Sequence, residues 1–120
     1  MSEHMQETFD AMVWHLRRQG RKAGGIDDYD KKFRCRYRAP DGAMCAIGYL
    51  IPDKDYRSEF EGTLAVGDEV SLVLEKYGHD VNLCGQMQVV HDNYEPHQWE
   101  GEFARVAKEF GLTYTPPEAA

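Results

Sequence analysis

A single turn signal constrains the fold of this 120-residue chain more than any other feature of its sequence. The tripeptide Pro40-Asp41-Gly42 follows residues 33–38, FRCRYR, in which apolar and arginine side chains alternate. Such alternation is typical of a strand with one buried face. Pro-Asp-Gly predicts a type I turn closed by Gly42 in the left-handed region, as in a three-residue hairpin loop with a G1 bulge. The sequence therefore predicts a β-hairpin over residues 33–49.

The turn also predicts which side chains face each other across this hairpin. Residue 39 would face residue 43, residue 37 would face residue 45, and the pairing would continue to residues 33 and 49. One face of the hairpin would then be apolar, and the other would be basic. The apolar face would hold Phe33, Cys35, Tyr37, Cys45, Ile47 and Tyr49, and the basic face Arg34, Arg36 and Arg38 opposite Met44, Ala46 and Gly48.

Amphipathic helices are expected to cover the apolar face, because a lone two-stranded hairpin is marginal in water. The first and last helices have the clearest apolar stripes at helical spacing. Start and stop residues at the ends of the four segments support helices there. The four predicted helices run from an N-cap at Ser2 to Gly20, over 69–77 after an N-cap at Asp68, onward from an N-cap at Asp80, and from Pro96 to Gly111. The apolar stripe of the first helix is Met5, Phe9, Met12, Val13 and Leu16. The apolar stripe of the last helix is Trp99, Phe103, Val106, Ala107 and Phe110.

The predicted fold class is α+β, a small antiparallel sheet packed against about four helices. Residues 53–60 predict a short helical turn. Residues 63–66 fit either a third strand or the lead-in to a helix. The length predicts one globular domain, placed at residues 1–115, with a flexible tail at residues 116–120 that contains Pro116-Pro117.

Composition and sequence pattern predict a cytoplasmic protein. No apolar run approaches the roughly 20 residues of a membrane-spanning helix, and no basic and apolar leader predicts secretion. Three cysteines are an odd number, and we interpret all three as reduced thiols of a cytoplasmic protein. No cofactor and no metal are predicted.

The net charge of −7 is unevenly divided along the chain. Residues 1–58 hold 11 Lys and Arg against 9 Asp and Glu, a net of +2, whereas residues 59–120 hold 3 against 12, a net of −9. Charge asymmetry of this kind steers partners. The acidic total argues against a general nucleic-acid binder.

Two kinds of catalytic or metal chemistry can be weighed against simple burial. Cys35, Cys45, Cys84, His79 and His91 include no pair at the usual zinc spacing. A thiol-dependent hydrolase could use Cys45 with His91 and Asp92. Cysteine is among the most buried residue types, and a thiol in an apolar core is inert, so a core role is favoured for all three.

The basic face of the hairpin is the stronger candidate site. Arg34, Arg36 and Arg38 project from one side of a strand, about 7 Å apart, and nothing acidic opposes them within the hairpin. Guanidinium groups suit a phosphate or carboxylate ligand, and Tyr56 and Trp99 are candidate stacking partners. The alternative is that solvent or acidic residues of the C-terminal helices neutralise the row.

The hairpin region also resembles a group of small phage and prophage proteins that has no assigned activity. The shared pattern is C-x-Y-R-x-P-x-G-x-x-C-A-x-G-x-L-I-P-D, followed by a Tyr and a Glu-Gly. The resemblance extends to an N-terminal helix ending in R-R-Q-G and to a later His-Asp before a Trp. The matching positions are Cys35, Tyr37, Arg38, Pro40, Gly42, Cys45, Ala46, Gly48, Leu50, Ile51, Pro52, Asp53, Tyr56, Glu61, Gly62, His91, Asp92 and Trp99.

This resemblance implies a phage accessory protein in the host bacterial cytoplasm, and it carries no catalytic residues. The sequence thus favours a non-enzymatic binder that blocks host defence by sequestering an anionic nucleotide-type ligand or by occluding a host defence protein. The alternatives are a thiol-dependent hydrolase using Cys45 and His91, and a structural or regulatory phage protein that acts by protein contacts. A homo-oligomer is left open.

Overall fold

The computed structural model describes residues 2–26, 29–61 and 68–117. Its described helices and strands form an α+β fold, as the sequence predicts. The elements in chain order are α1 (Ser2–Gln19), β1 (Gly24–Ile26), β2 (Phe33–Cys35), α2 (Ala46–Leu50), α3 (Asp68–Lys76), α4 (Val81–Asn93) and α5 (Trp99–Phe110), with short 3-10 turns at Asp53–Asp55, Ser58–Phe60 and Pro96–Gln98.

The turn at residues 40–42 is confirmed. Gly42 has φ of +95°, which only glycine adopts without strain. The Ala39 N–H donates to the Ala43 carbonyl oxygen at 2.8 Å, and the Asp41 side chain accepts a hydrogen bond from the Ala43 N–H at 3.0 Å. The predicted register holds near this turn, because Arg38 bridges Met44 and the Cys45 N–H donates to the Tyr37 carbonyl oxygen at 3.1 Å.

The prediction that the second half of this segment continues as a strand to residue 49 is wrong. Residues 46–50 form α2, and Cys45 caps that helix, its sulfur accepting a hydrogen bond from the Gly48 N–H at 3.2 Å. Gly48 lies so close to Tyr37, two residues after β2, that a Cβ atom there would collide with the Tyr37 carbonyl oxygen. The Cys45 cap and the close packing of Gly48 stabilise a helical turn here, so the chain forms α2 instead of continuing as a strand.

The strand Phe33–Cys35 pairs instead with Gly24–Ile26. The two strands are antiparallel, with Gly24 opposite Cys35 and Ile26 opposite Phe33. Glycine is depleted in strands, so the pair Gly24-Gly25 gives no local sign that β1 begins there. The predicted third strand at residues 63–66 lies outside the described residues.

The core is mainly helical. Helix α4 packs against α1, α2, α3 and α5, and the sheet lies at the margin, where Ile26 and Phe33 are exposed. The predicted stripes of α1 and α5 are confirmed as core, apart from the half-buried Met5 and Phe110. The Asp80 cap of α4 is also confirmed, its side chain accepting from the Leu83 N–H at 2.9 Å, and Gly111 ends α5 in the left-handed conformation.

The segment after α5 returns across α1. The Gln6 side chain bonds the backbone of Thr113 through both its amide oxygen and its amide nitrogen, and Arg17 donates to the Thr115 carbonyl oxygen at 2.7 Å. Residues 113–115 are therefore held against the domain. Among the described helices, none is long and apolar enough to span a lipid bilayer.

Candidate anion-binding site

The predicted row of arginines does not act as one site, because two of them line a pocket and the third has other partners. Arg34 and Arg36 line a pocket of about 340 Å³ beside the sheet. Arg38 turns toward the end of α2, where it donates to the Ile51 carbonyl oxygen at 2.6 Å and pairs with Asp53 at 2.7 Å. The pocket is lined by Gly25, Ile26, Arg34, Cys35, Arg36, Pro40 and Glu61.

A partly buried carboxylate, that of Glu61, lies in the wall of this pocket. Glu61 accepts the backbone N–H groups of Tyr37 and Arg38 at 3.0 and 3.1 Å and the Tyr56 hydroxyl at 2.5 Å. Burial, together with this last hydrogen bond, raises the pKa of Tyr56 to about 12. The Glu61 carboxylate is thus already engaged by three donors.

Arg36 is the least satisfied arginine of the row. Its Nε lies 4.0 Å from Oε1 of Glu61, its side chain is 46% exposed, and its guanidinium donates no hydrogen bond to a described residue, although its backbone N–H donates to the Ala23 carbonyl oxygen at 2.9 Å. A guanidinium carries five N–H donors, so an anion in the pocket would find them available. Arg34, by contrast, is paired with Asp30.

The acidic partners of the row come from loops. Asp30, Asp53 and Glu61 all lie outside the α-helices, so the alternative in which the C-terminal helices neutralise the row does not describe the pairs that form. Arg34 and Arg38 each have a close acidic partner, whereas Arg36 does not. Of the three arginines, Arg36 is therefore the best candidate for binding an anion.

The two predicted stacking partners are not in this pocket. Tyr56 lies beneath Arg38, whose guanidinium carbon is 4.5 Å from the ring centroid. Trp99 is only 3% exposed, donates its indole N–H to the Tyr94 carbonyl oxygen at 3.0 Å, and stacks on His91. Trp99 is therefore a core residue.

The thiol of Cys45 is fully buried. Burial raises its pKa to about 12, so the thiolate needed for nucleophilic attack is scarce at neutral pH. Its sulfur is used as the cap of α2. The geometry thus assigns Cys45 a structural task.

A different cysteine meets His91 and Asp92. The ligand atoms of Cys35, His91 and Asp92 lie within 4.8 Å of one another. Sequence reasoning missed this cluster because Cys35 and His91 are far apart in the chain, and no local spacing signals their contact. Burial, reinforced by the Asp92 carboxylate, raises the pKa of the Cys35 thiol to about 12.

Hydrogen bonds fix the tautomer of His91. The backbone N–H of Ala23 donates to Nε2 at 2.9 Å, so Nε2 carries a lone pair, and Nδ1 carries the proton that it donates to Oδ1 of Asp92 at 2.7 Å. A metal at Nδ1 would move this proton to Nε2, where it would face the Ala23 donor. The cluster therefore suits a structural link better than a metal site or a general base.

An exposed aromatic surface on α1 was missed by the sequence reasoning. Trp14 lies on α1 and is 51% exposed, with the Arg18 guanidinium carbon 4.7 Å from its ring centroid. The signal was present, since Trp14 falls outside the apolar stripe of its helix. An exposed tryptophan off the buried face is a stronger indication of a contact surface than a buried one.

The comparisons with known proteins leave the family open. A stretch of 73 residues, 61% of this chain, is 36% identical to a hydroxyacylglutathione hydrolase of Rhodopseudomonas palustris (strain ATCC BAA-98 / CGA009). This stretch spans 26% of that relative, about a quarter of its length. No family model and no solved structure matches the chain.

Proposed function

We propose that this protein is a non-enzymatic binder that holds an anionic, nucleotide-type ligand in the pocket beside Arg34 and Arg36. The observation that carries the proposal is the state of the Arg36 side chain, which lines the pocket, is half exposed and has no hydrogen-bonded acceptor for its guanidinium among the described residues. A phosphate would accept two parallel bonds from its guanidinium.

The chemistry of the buried thiols supports binding over catalysis. Burial raises the pKa of Cys35, Cys45 and Cys84 to about 12. The unprotonated nitrogen of His91, Nε2, already accepts a hydrogen bond from the Ala23 backbone N–H. Neither group is prepared for nucleophilic or general-base chemistry at neutral pH. The similarity to a hydrolase covers 26% of that protein, so it does not transfer its activity here.

The resemblance to phage proteins supplies the setting. In this proposal, the protein acts in the cytoplasm of a bacterial host as a phage accessory protein, and it blocks host defence by sequestering a nucleotide signal. The acidic half of the chain, net −9 over residues 59–120, supports a second candidate function, the occlusion of a host defence protein by a charged surface.

Thermal denaturation with linear and cyclic nucleotides, including ATP and cyclic di-AMP, tests the ligand. A nucleotide at 100 times its dissociation constant should raise the free energy of unfolding by about 2.7 kcal/mol. Mass spectrometry of the protein purified from infected cells provides an independent search for a co-purifying ligand or partner.

The decisive variants are Arg36→Ala and Arg36→Lys. Alanine should weaken ligand binding by roughly 10- to 150-fold, the equivalent of one charge-assisted pair. Lysine should weaken it nearly as far, because it keeps the charge but loses the planar fork.

Arg57→Ala is the matched control, since Arg57 is 54% exposed and pairs with Glu69, and neither residue lines the pocket. Wild-type binding and wild-type defence blocking by both Arg36 variants would refute the pocket. That result would leave the acidic surface as the working face.

A further inference from the structure

A second pocket lies between α1 and the segment that follows α5. It has a volume of about 530 Å³ and shares no lining residue with the pocket beside Arg36. Its walls are partly aromatic and partly charged. The lining residues are Phe9, Asp10, Val13, Trp14, Arg17, Arg18, Tyr114, Thr115 and Pro117.

One wall of this pocket is held in place by hydrogen bonds from three consecutive residues. The backbone of Thr113 bonds the Gln6 side chain twice, the Tyr114 hydroxyl donates to Glu100 at 2.8 Å, and the Thr115 carbonyl oxygen accepts from Arg17. A wall fixed in this way needs little ordering when a ligand enters, and prior order favours affinity.

The aromatic side of the pocket is Trp14. Its indole is 51% exposed, whereas the core Trp99 is 3% exposed. Exposing half of a tryptophan forgoes much of the stabilisation that its burial would give. The half-exposed ring, which Arg18 and Tyr49 cover only in part, therefore offers a planar ligand an apolar surface at the pocket wall.

The charges of the pocket are uneven. Arg17 is neutralised by Glu100, which it contacts at 2.7 and 2.8 Å. Arg18 lies over the Trp14 ring and forms no ion pair with a described acidic residue. Asp10 lies two turns earlier on the same helix, about 12 Å away along its axis. The pocket thus has one available cation at one end and an anion at the other.

We propose that this pocket binds a small planar aromatic ligand that carries a single anionic group. The ring packs beside Trp14 and Tyr114, and the carboxylate or phosphate ester contacts Arg18. Asp10 disfavours ligands with a second anionic group at the far end of the pocket, by like-charge repulsion. This site is independent of the proposed nucleotide pocket and would remain if that pocket were refuted.

The two tryptophans make the site directly observable. A ¹H–¹⁵N spectrum should contain two indole N–H signals, one from Trp14 and one from Trp99, and Trp14→Phe identifies the first by its loss. Titration with 2-naphthoate should move the Trp14 signal saturably and leave the Trp99 signal in place. The neutral analogue 2-naphthamide should bind about tenfold more weakly, because it lacks the charge, and cyclohexanecarboxylate should also bind weakly because it lacks the ring.

Variants separate a defined site from general adhesion. Arg18→Ala should weaken 2-naphthoate binding about tenfold. Arg105→Ala, on the exposed side of α5 and paired with Glu102 and Glu109, should leave it unchanged, as should Arg36→Ala. A Trp14 signal that does not move, that moves equally with all three compounds, or that responds equally in Arg18→Ala would overturn the proposal.

Discussion

The backbone N–H of Ala23 donates to Nε2 of His91 at 2.9 Å, across 68 positions of the chain. His91 is completely buried, and its other nitrogen donates to the neighbouring Asp92. The residue just before β1 is thereby tied to the last turn of α4. One imidazole satisfies a buried donor on one side and a carboxylate on the other, which gives the small sheet a fixed attachment to the helical core.

Replacing His91 with leucine should reveal the strength of this attachment. The Ala23 N–H would lose its buried acceptor and Asp92 its donor, so we expect the free energy of unfolding to fall by about 2–3 kcal/mol. Urea denaturation measures the loss. The exposed His97 is a matched control, and His97→Leu should change stability by less than about 0.5 kcal/mol. Equal effects of the two substitutions would show that the buried link contributes nothing.

The helices could be predicted from sequence because their signals are local. The stripe of α1, the Asp80 cap and the left-handed Gly111 each depend on residues within a few positions of one another. The turn at Gly42 was equally readable. Each of these elements therefore followed from the chain without knowledge of its tertiary contacts.

The path of residues 45–50 could not be predicted in the same way. Ala-Ile-Gly-Tyr-Leu is too short to distinguish a strand from a helix by periodicity. The decision came from the Cys45 sulfur cap and from the close approach of Gly48 to Tyr37, which are features of the folded chain. The strand β1 could not be predicted either, because glycine is uncommon within strands and Gly24-Gly25 gives no local strand signal.

The candidate anion-binding site could be predicted only in part, because its residues also come together through tertiary contacts. The arginine row was readable, but its partners Asp30, Asp53 and Glu61 reach it through loops whose paths no local signal determines. The burial of Trp99 and the exposure of Trp14, by contrast, follow from local spacing, because Trp99 lies in the apolar stripe of its helix and Trp14 lies outside that of α1.

Two helical glycines should respond oppositely to the same substitution. Gly48→Ala should destabilise the protein by more than 2 kcal/mol, because the new Cβ would collide with the Tyr37 backbone and core overpacking costs about 1–3 kcal/mol. Gly101→Ala, in α5, meets nothing within 4 Å and should stabilise by up to about 1 kcal/mol. Chemical denaturation of both variants measures the contrast. A tolerated Gly48→Ala would mean that α2 does not pack on Tyr37 in solution.

The turn at residues 40–42 can be tested through backbone strain alone. A Cβ atom at Gly42 would meet nothing within 4 Å, so any loss of stability must come from its φ of +95°. Gly42→Val should cost more than about 1 kcal/mol. Gly42→Asn should cost less, since asparagine tolerates the left-handed region better. Unchanged denaturation midpoints in both variants would contradict the turn.

The ion pair between Arg17 and Glu100 should make stability depend on pH in the acid range. The hydrogen bonds from Arg17 hold the pKa of Glu100 below its ordinary range. Its contribution is therefore fully present above the ordinary glutamate pKa and is lost as the pH falls through the lowered folded-state pKa. Glu100→Gln should lower the melting temperature at pH 7, and the difference from wild type should shrink as the pH falls below the ordinary glutamate pKa.

Solvent screening reduces the size of this effect, because the Glu100 side chain is 37% exposed. The exposed Glu59 is a suitable comparison, and Glu59→Gln should leave the acid arm of the stability curve unchanged. A Glu100→Gln curve that runs parallel to wild type from pH 7 to pH 3 would show that the pair does not couple folding to protonation.

The thiol of Cys45 offers the sharpest test between binder and hydrolase. Burial raises its pKa to about 12, so iodoacetamide at pH 7.5 should leave Cys45 unmodified in the folded protein and alkylate it only after denaturation. Mass spectrometry of the digested protein locates the modified residues. Cys45→Ser should retain a cap for α2, because serine is a preferred N-cap, and under the proposed function it should block host defence as the wild type does. Rapid alkylation of Cys45 in the native state, or a Cys45→Ser variant that melts as wild type but loses its biological effect, would instead establish the thiol as the reacting group.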